Sequence, residues 1–79
     1  MMEPSQIKQM IEAGLPECQA QVDGDGAHFQ AVIISPAFEA KATLARHRLV
    51  NSVLEEQINS GELHALSMRT LTPEEWQRQ

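Results

Sequence analysis

Four side chains in this 79-residue sequence are of a type that could do chemistry: Cys18, His28, His47 and His64. Cys18 lies on the apolar side of the alternating stretch Cys18 to Val22. Nothing basic stands near it in sequence to lower its pKa, which describes a buried, inert thiol. His47 falls in the middle of an apolar stripe at helical spacing and reads as a core histidine bonded to backbone or to a carboxylate. His28 and His64 differ, because each opens a stretch of strand character. If those two strands are parallel neighbours, both imidazoles sit at one end of the sheet, within reach of a single metal centre. Two ligands do not close a structural zinc site, which takes four. A centre built on this pair therefore needs further ligands from a second protein or a small molecule.

No catalytic residues are expected. There is no GxSxG, HExxH or P-loop motif and no local serine–histidine pairing, and the carboxylates fall on helix ends and polar faces where capping and solvation explain them. The chain reads as a non-enzyme. Its remaining candidates are cations: Lys41, Arg46 and Arg48 occupy a window, Lys41 to Leu54, without an Asp or Glu, and Arg69 follows on a strand. Such a patch suits an acidic protein partner at least as well as phosphates, because the whole chain carries a net charge of −5, which opposes nucleic-acid binding.

The elements that must position these residues are legible in order. A first helix covers Glu3-Pro4-Ser5 to Gly14, with Ser5 as its cap, Ile7, Met10 and Ile11 at helical spacing, and Gly14 and Pro16 as its stop. The strand Cys18–Val22 and the strand from His28 to Ser35 flank a turn at Asp23 to Gly26 and form a hairpin. The continuous Ala31 to Ile34 run predicts a central strand buried on both faces. A short helical turn over Pro36 to Ala40 precedes one long helix, Lys41 to Ser60, stopped by Gly61. On it Leu44, His47, Val50, Leu54 and Ile58 form a stripe that should face the sheet. A third strand, Leu63 to Leu71, alternates between Leu63, Ala65, Ser67 and Arg69 on one face and His64, Leu66, Met68 and Thr70 on the other. Thr72, Pro73 and Glu75 then start a last helix by a capping box, and Trp76 should dock it on the body. The order α-β-β-α-α-β-α, with a helical crossover between the second and third strands, predicts an α+β fold: helices packed on a three-stranded mixed sheet.

The chain is read as one domain over residues 1–79. A single cysteine cannot form an internal disulfide and suits a reducing compartment. With no membrane-length apolar run and no secretory leader pattern, the expectation is a cytoplasmic protein.

Four blocks carry a family resemblance: His28 to Ile33 (HFQAVI), Phe38-Glu39 with Lys41, Arg46 to Asn51 (RHRLVN), and Leu63 to Trp76 (LHALSMRTLTPEEW). Together they resemble the BolA family, with the match covering nearly the whole chain. The resemblance implies a class II KH-like, BolA-like fold and a partnership with a monothiol glutaredoxin. The pair would hold a bridging [2Fe–2S] cluster, with the glutaredoxin cysteine and a glutathione thiol as ligands on one side. On the other side the family's C-terminal histidine matches His64, and a second, more variable ligand position matches His28. The protein alone would be apo, and a monomer or weak homodimer. Imidazole ligation would raise the cluster's potential relative to thiolate ligation and make its retention sensitive to pH, which points to a labile, sensing or transferable cluster in iron homeostasis or stress response. The alternative implied by the same resemblance is a nucleic-acid-binding stress regulator, with Lys41, Arg46, Arg48 and Arg69 on DNA phosphates. The GxxG loop of KH domains is absent from this chain. Relatives often carry glycine where this sequence has Ala40, a change expected to favour helix there.

Overall fold

A proline at position 4 starts the chain's first helix, because its fixed φ suits the first helical position and its missing N–H removes a donor that has no partner there. In the computed structural model, which describes residues 2–25 and 28–79, this helix is α1, Pro4–Gly14. Its cap is Glu3, whose N–H donates to Gln6 Oε1 at 2.7 Å. Ser5 is therefore already inside the helix and does not cap it. Ile7 and Ile11 are fully buried one turn apart.

Strand β1, Gln19–Gly24, pairs antiparallel with β2, His28–Ile34, and β2 pairs parallel with β3, Ala65–Leu71, giving the sheet order β1-β2-β3. Asp23 and Gly24 still belong to β1, so the expected turn is shorter than its Asp-Gly repeat suggested, and its Gly26 lies outside the described residues. Cys18 lies just before the strand. Gly24 is required by close approach: a Cβ there would stand 2.5 Å from the Phe29 ring and 2.6 Å from the His28 carbonyl oxygen.

The sheet has one covered face. Ala20, Phe29, Ala31 and Ile33 are buried in the core with Ile7, Ile11, Phe38, Val50, Leu54 and Leu63. The opposite face carries Gln21, Asp23, Gln30, Val32, Ser67 and Arg69 around a shallow open depression. The apolar run in β2 thus marks a central strand, as expected, but Val32 is only half-buried, and helices cover one side alone.

The segment between β2 and β3 departs most from expectation. Pro36–Phe38 form a 3₁₀ turn, capped by Ser35, whose buried hydroxyl donates to the Pro16 carbonyl at 2.7 Å and accepts from the Ala37 N–H at 3.1 Å. Ala40 is not helical; it adopts φ 62°, a left-handed conformation that costs an L-residue roughly 1–2 kcal/mol. The expected helix-favouring effect of alanine is reversed here, since this is a glycine-type position. The long helix is two helices, α2 (Thr43–Val53) and α3 (Glu55–Asn59), broken at Leu54 where ψ is 16°. The stripe is buried only in part. Val50 and Leu54 are fully buried, but Leu44 is 62 % exposed and Ile58 39 % exposed, and His47 is half-buried. Gly61 ends this segment as expected, at φ 84°. Helix α4, Pro73–Gln77, has the expected cap: Thr72 Oγ1 accepts from the Glu75 N–H at 3.1 Å, and Glu75 Oε1 accepts from the Thr72 N–H at 2.8 Å.

Candidate functional site

The parallel register of β2 and β3 places His28 directly opposite Ala65, so His64 stands one residue before that partner, at the same end of the sheet. Strand spacing and rise put the two backbones on the order of 6 Å apart. Both histidines are exposed, and neither imidazole has a hydrogen-bond partner among the described residues.

Each backbone is held. Asp25 accepts the His28 N–H on Oδ1 at 3.0 Å and donates its own N–H to the His28 carbonyl at 3.3 Å. This Asx-type clasp carries a recognisable signature, an Asp three residues before a strand's first residue, which the sequence reading passed over. On the other side, the Leu63 N–H donates to the Gln57 carbonyl at 3.0 Å, and the Leu63 side chain is buried in the core. Strict alternation grouped Leu63 with Ser67 and Arg69, which the structure places on the open face, and His64 with Leu66 and Met68, which pack toward the core. The alternation does not extend that far, because the strand begins only at Ala65. Leu63 takes the inward position, and His64 is left turned to solvent. Asp25 and Glu62 are the charges nearest in sequence to the pair, and residues 60–65 contain no Lys or Arg. Among the described residues no three His, Cys, Asp or Glu side chains converge in a way that could hold a metal ion. Among the described residues this end of the sheet offers two exposed imidazoles and no third ligand.

The remaining candidates lie elsewhere. Cys18 precedes Gln19, which pairs with Ile34 at the far end of β2. Its thiol is pushed up to about 11 by burial first and by the Glu12 carboxylate second, as an inert thiol should be. Glu12 itself is held below the usual carboxylate range by its bond to Lys8, and it also accepts the Ala20 N–H, so the Lys8–Glu12 pair ties α1 to β1.

Arg46 was expected to be free for a partner, and it is not. Its guanidinium grips both oxygens of Glu75 (2.7 and 3.2 Å), donates to the carbonyls of Lys41 (2.8 Å) and Thr70 (3.2 Å), and lies 5.9 Å from the centroid of the Phe38 ring. Its side chain is 13 % exposed. This clamp, rather than Trp76, docks α4: Trp76 remains 39 % exposed. The clamp holds Glu75 far down, to about 2, through the Arg46 bonds first and the Thr72 N–H second. Lys41 belongs to the same corner, at the C-terminal end of the parallel strands. The two histidines occupy the opposite end, roughly 20 Å away along seven-residue strands. Arg48 is exposed beside a 320 Å³ groove with Asn51, Glu55 and Ile58, and Arg69 opens onto the uncovered sheet face. The four cations thus form no single patch, whereas the two histidines share one end.

Comparison with known proteins follows this geometry. Residues 5–75 match the family model described as BolA-like protein. A BolA protein homologue from Coxiella burnetii superposes with a TM-score of 0.89 at 46 % identity, covering 99 % of this chain and 100 % of that one. The BolA domain of SufE1 from Arabidopsis thaliana gives 0.80 at 32 % identity, covering 91 % and 93 %. The acid stress protein IbaG of Escherichia coli K12 is 31 % identical over 77 residues, 98 % of this chain and 92 % of its own.

Proposed function

Because the chain belongs to the BolA family, we propose that it is a non-enzymatic adaptor that pairs with a monothiol glutaredoxin to hold a bridging [2Fe–2S] cluster. His64 is the principal ligand from this chain and His28 the second. The single observation that carries this reading is the register that brings two exposed histidines to one end of the sheet.

The residues present fit such a group. Imidazole nitrogen is a competent iron ligand, and among the described residues both rings are unengaged and no further donor completes a coordination sphere. The centre therefore has to be shared, with the partner's cysteine and glutathione supplying thiolates. When bound, the cluster would supply an exchangeable iron–sulfur unit whose potential is raised by nitrogen ligation. The chain's own part is to present the two rings: Asp25 fixes the backbone at His28, and buried Leu63 with the Gln57 carbonyl fixes it beside His64. Protons compete with metal for imidazole nitrogen, which agrees with a role in stress response and with the name acid stress protein carried by the E. coli relative.

The alternative, a nucleic-acid-binding regulator, finds less support. Of its four phosphate contacts, Arg46 is already engaged inside the molecule and Arg69 faces away from the helical layer that carries Lys41 and Arg48.

The test is anaerobic reconstitution with iron, sulfide and glutathione in the presence of a monothiol glutaredoxin, read by visible circular dichroism and complex mass. Wild type should give a heterodimer whose spectrum differs from that of the glutaredoxin homodimer. His64→Ala should return the homodimer spectrum, and His28→Ala should perturb it. An unchanged spectrum in His64→Ala would refute the ligand assignment, and absence of any complex would refute the partnership.

A further inference from the structure

We propose that the histidine end of the sheet is also a zinc site completed by a second copy of this chain, with His28 and His64 of two copies forming a four-imidazole centre. The inference rests on the ligand pair assigned above, but not on the cluster or the glutaredoxin.

The donor count leads to it. One chain presents two imidazoles at one end of the sheet and, among the described residues, no third converging donor. Zinc is satisfied by four nitrogen, sulfur or oxygen ligands in a tetrahedron. A two-fold axis passing near the pair sets the same patch against itself, as a closed dimer interface does, and turns two ligands into four without any new residue. The ordering cost is small, because the backbone at each histidine is already hydrogen-bonded: His28 through two bonds to Asp25, and His64 between the Leu63–Gln57 bond and the start of β3. Only the side-chain torsions remain to be set.

Charge selects the class of ion. The flanking residues Asp25 and Glu62 are acidic, and no Lys or Arg occurs in residues 20–28 or 60–65, so the end favours a cation. Two chains each at −5 repel one another without metal, and a divalent ion between them offsets part of that repulsion. Cys18, the chain's one thiol, lies at the opposite end of β2 and is half-buried; it cannot reach this site. Pairing through zinc would occupy the same imidazoles that the cluster partner needs, so the two assemblies exclude each other.

The experiment is sedimentation velocity on the apo chain, with EDTA and then with stepped additions of zinc chloride. The expected result is a shift from 8.8 kDa to twice that mass at one zinc per two chains, reversed by EDTA. His64→Ala and His28→Ala should each stay at the single-chain mass, while Cys18→Ser should still double. Failure of the wild type to double, doubling that persists in both histidine variants, or a stoichiometry of one zinc per chain would each overturn the proposal. The glutaredoxin reconstitution is independent of this outcome, so either idea can fail while the other stands.

Discussion

Arg46 concentrates more interactions than any other polar side chain described: two carboxylate oxygens, two carbonyls and an aromatic ring. Its loss strands acceptors that sit in a part-buried corner. Arg46→Ala should therefore destabilise by about 2–3 kcal/mol in urea unfolding, since each unsatisfied buried group costs roughly 1–3 kcal/mol. Arg46→Lys should recover little, because an ammonium cannot span the forked carboxylate and both carbonyls at once. The clamp also sets a pH dependence. Folding holds Glu75 down at about 2, below its value in the unfolded chain. Its stabilisation is therefore complete above the ordinary carboxylate range near 4.5 and is lost as pH falls through that range toward 2. Glu75→Gln should be less stable than wild type at pH 7, and the gap between them should close progressively between about pH 4.5 and 2; a gap that stays constant would contradict the clamp. Ala40 gives the opposite kind of test. Its left-handed backbone suits glycine, so Ala40→Gly should raise stability by about 0.5–1 kcal/mol, the relief of strain exceeding the entropy that glycine adds to the unfolded chain. Loss of stability would mean that the position is helical in solution.

At the scale of elements, packing decides which part of the expected stripe is core. A continuous helix would have carried Leu44 to Ile58 along one line against the sheet. The line turns at Leu54, where ψ is 16°, and Ile58 beyond it is exposed; Leu44 is exposed too, although it shares the continuous α2 with buried Val50. Val50→Ala and Leu54→Ala should be costly: Leu54→Ala about 2–5 kcal/mol, Val50→Ala somewhat less. Leu44→Ala and Ile58→Ala should stay near ±0.5 kcal/mol, as surface substitutions do. Equal costs along the stripe, in thermal or denaturant unfolding, would contradict this burial pattern. Short elements also explain why the capping boxes matter. Helix α4 has five residues, too few to stand by propensity, and is held by Thr72, Glu75 and Arg46 together.

For the whole molecule, the proposed ligands and the Arg46 clamp lie at opposite ends of the sheet. The histidines stand at the start of the parallel strands, and the Arg46 clamp at their finish. His28→Ala and His64→Ala should therefore leave the melting temperature close to that of wild type, since neither ring is buried or, among the described residues, bonded, while changing metal or cluster binding. A large drop in melting temperature for either would assign it a structural role instead. The scattered cations lead to a second expectation: a DNA titration even at low salt should show no steep, salt-dependent binding. Binding that falls with the slope of several phosphate contacts, and weakens in Lys41→Ala and Arg48→Ala, would restore the nucleic-acid reading.

Much of this protein is determined locally. The period of two in β1 and β3, the Asp-Gly hairpin, the Thr72-Pro73-Glu75 cap and Gly61 each follow from residue-level preferences acting over a few positions, and they sufficed to place every strand and the α+β order. The same local logic, with the parallel crossover rule, brought His28 and His64 to one end of the sheet. Tertiary structure decided the rest. Arg46 turns inward to partners distant in sequence, Glu75 and Thr70, 29 and 24 residues away, and the break at Leu54, the left-handed Ala40 and the burial of Leu63 rather than His64 carry no comparable local signature. Periodicity reports which faces a segment could bury; only packing against the other elements decides which of them it does.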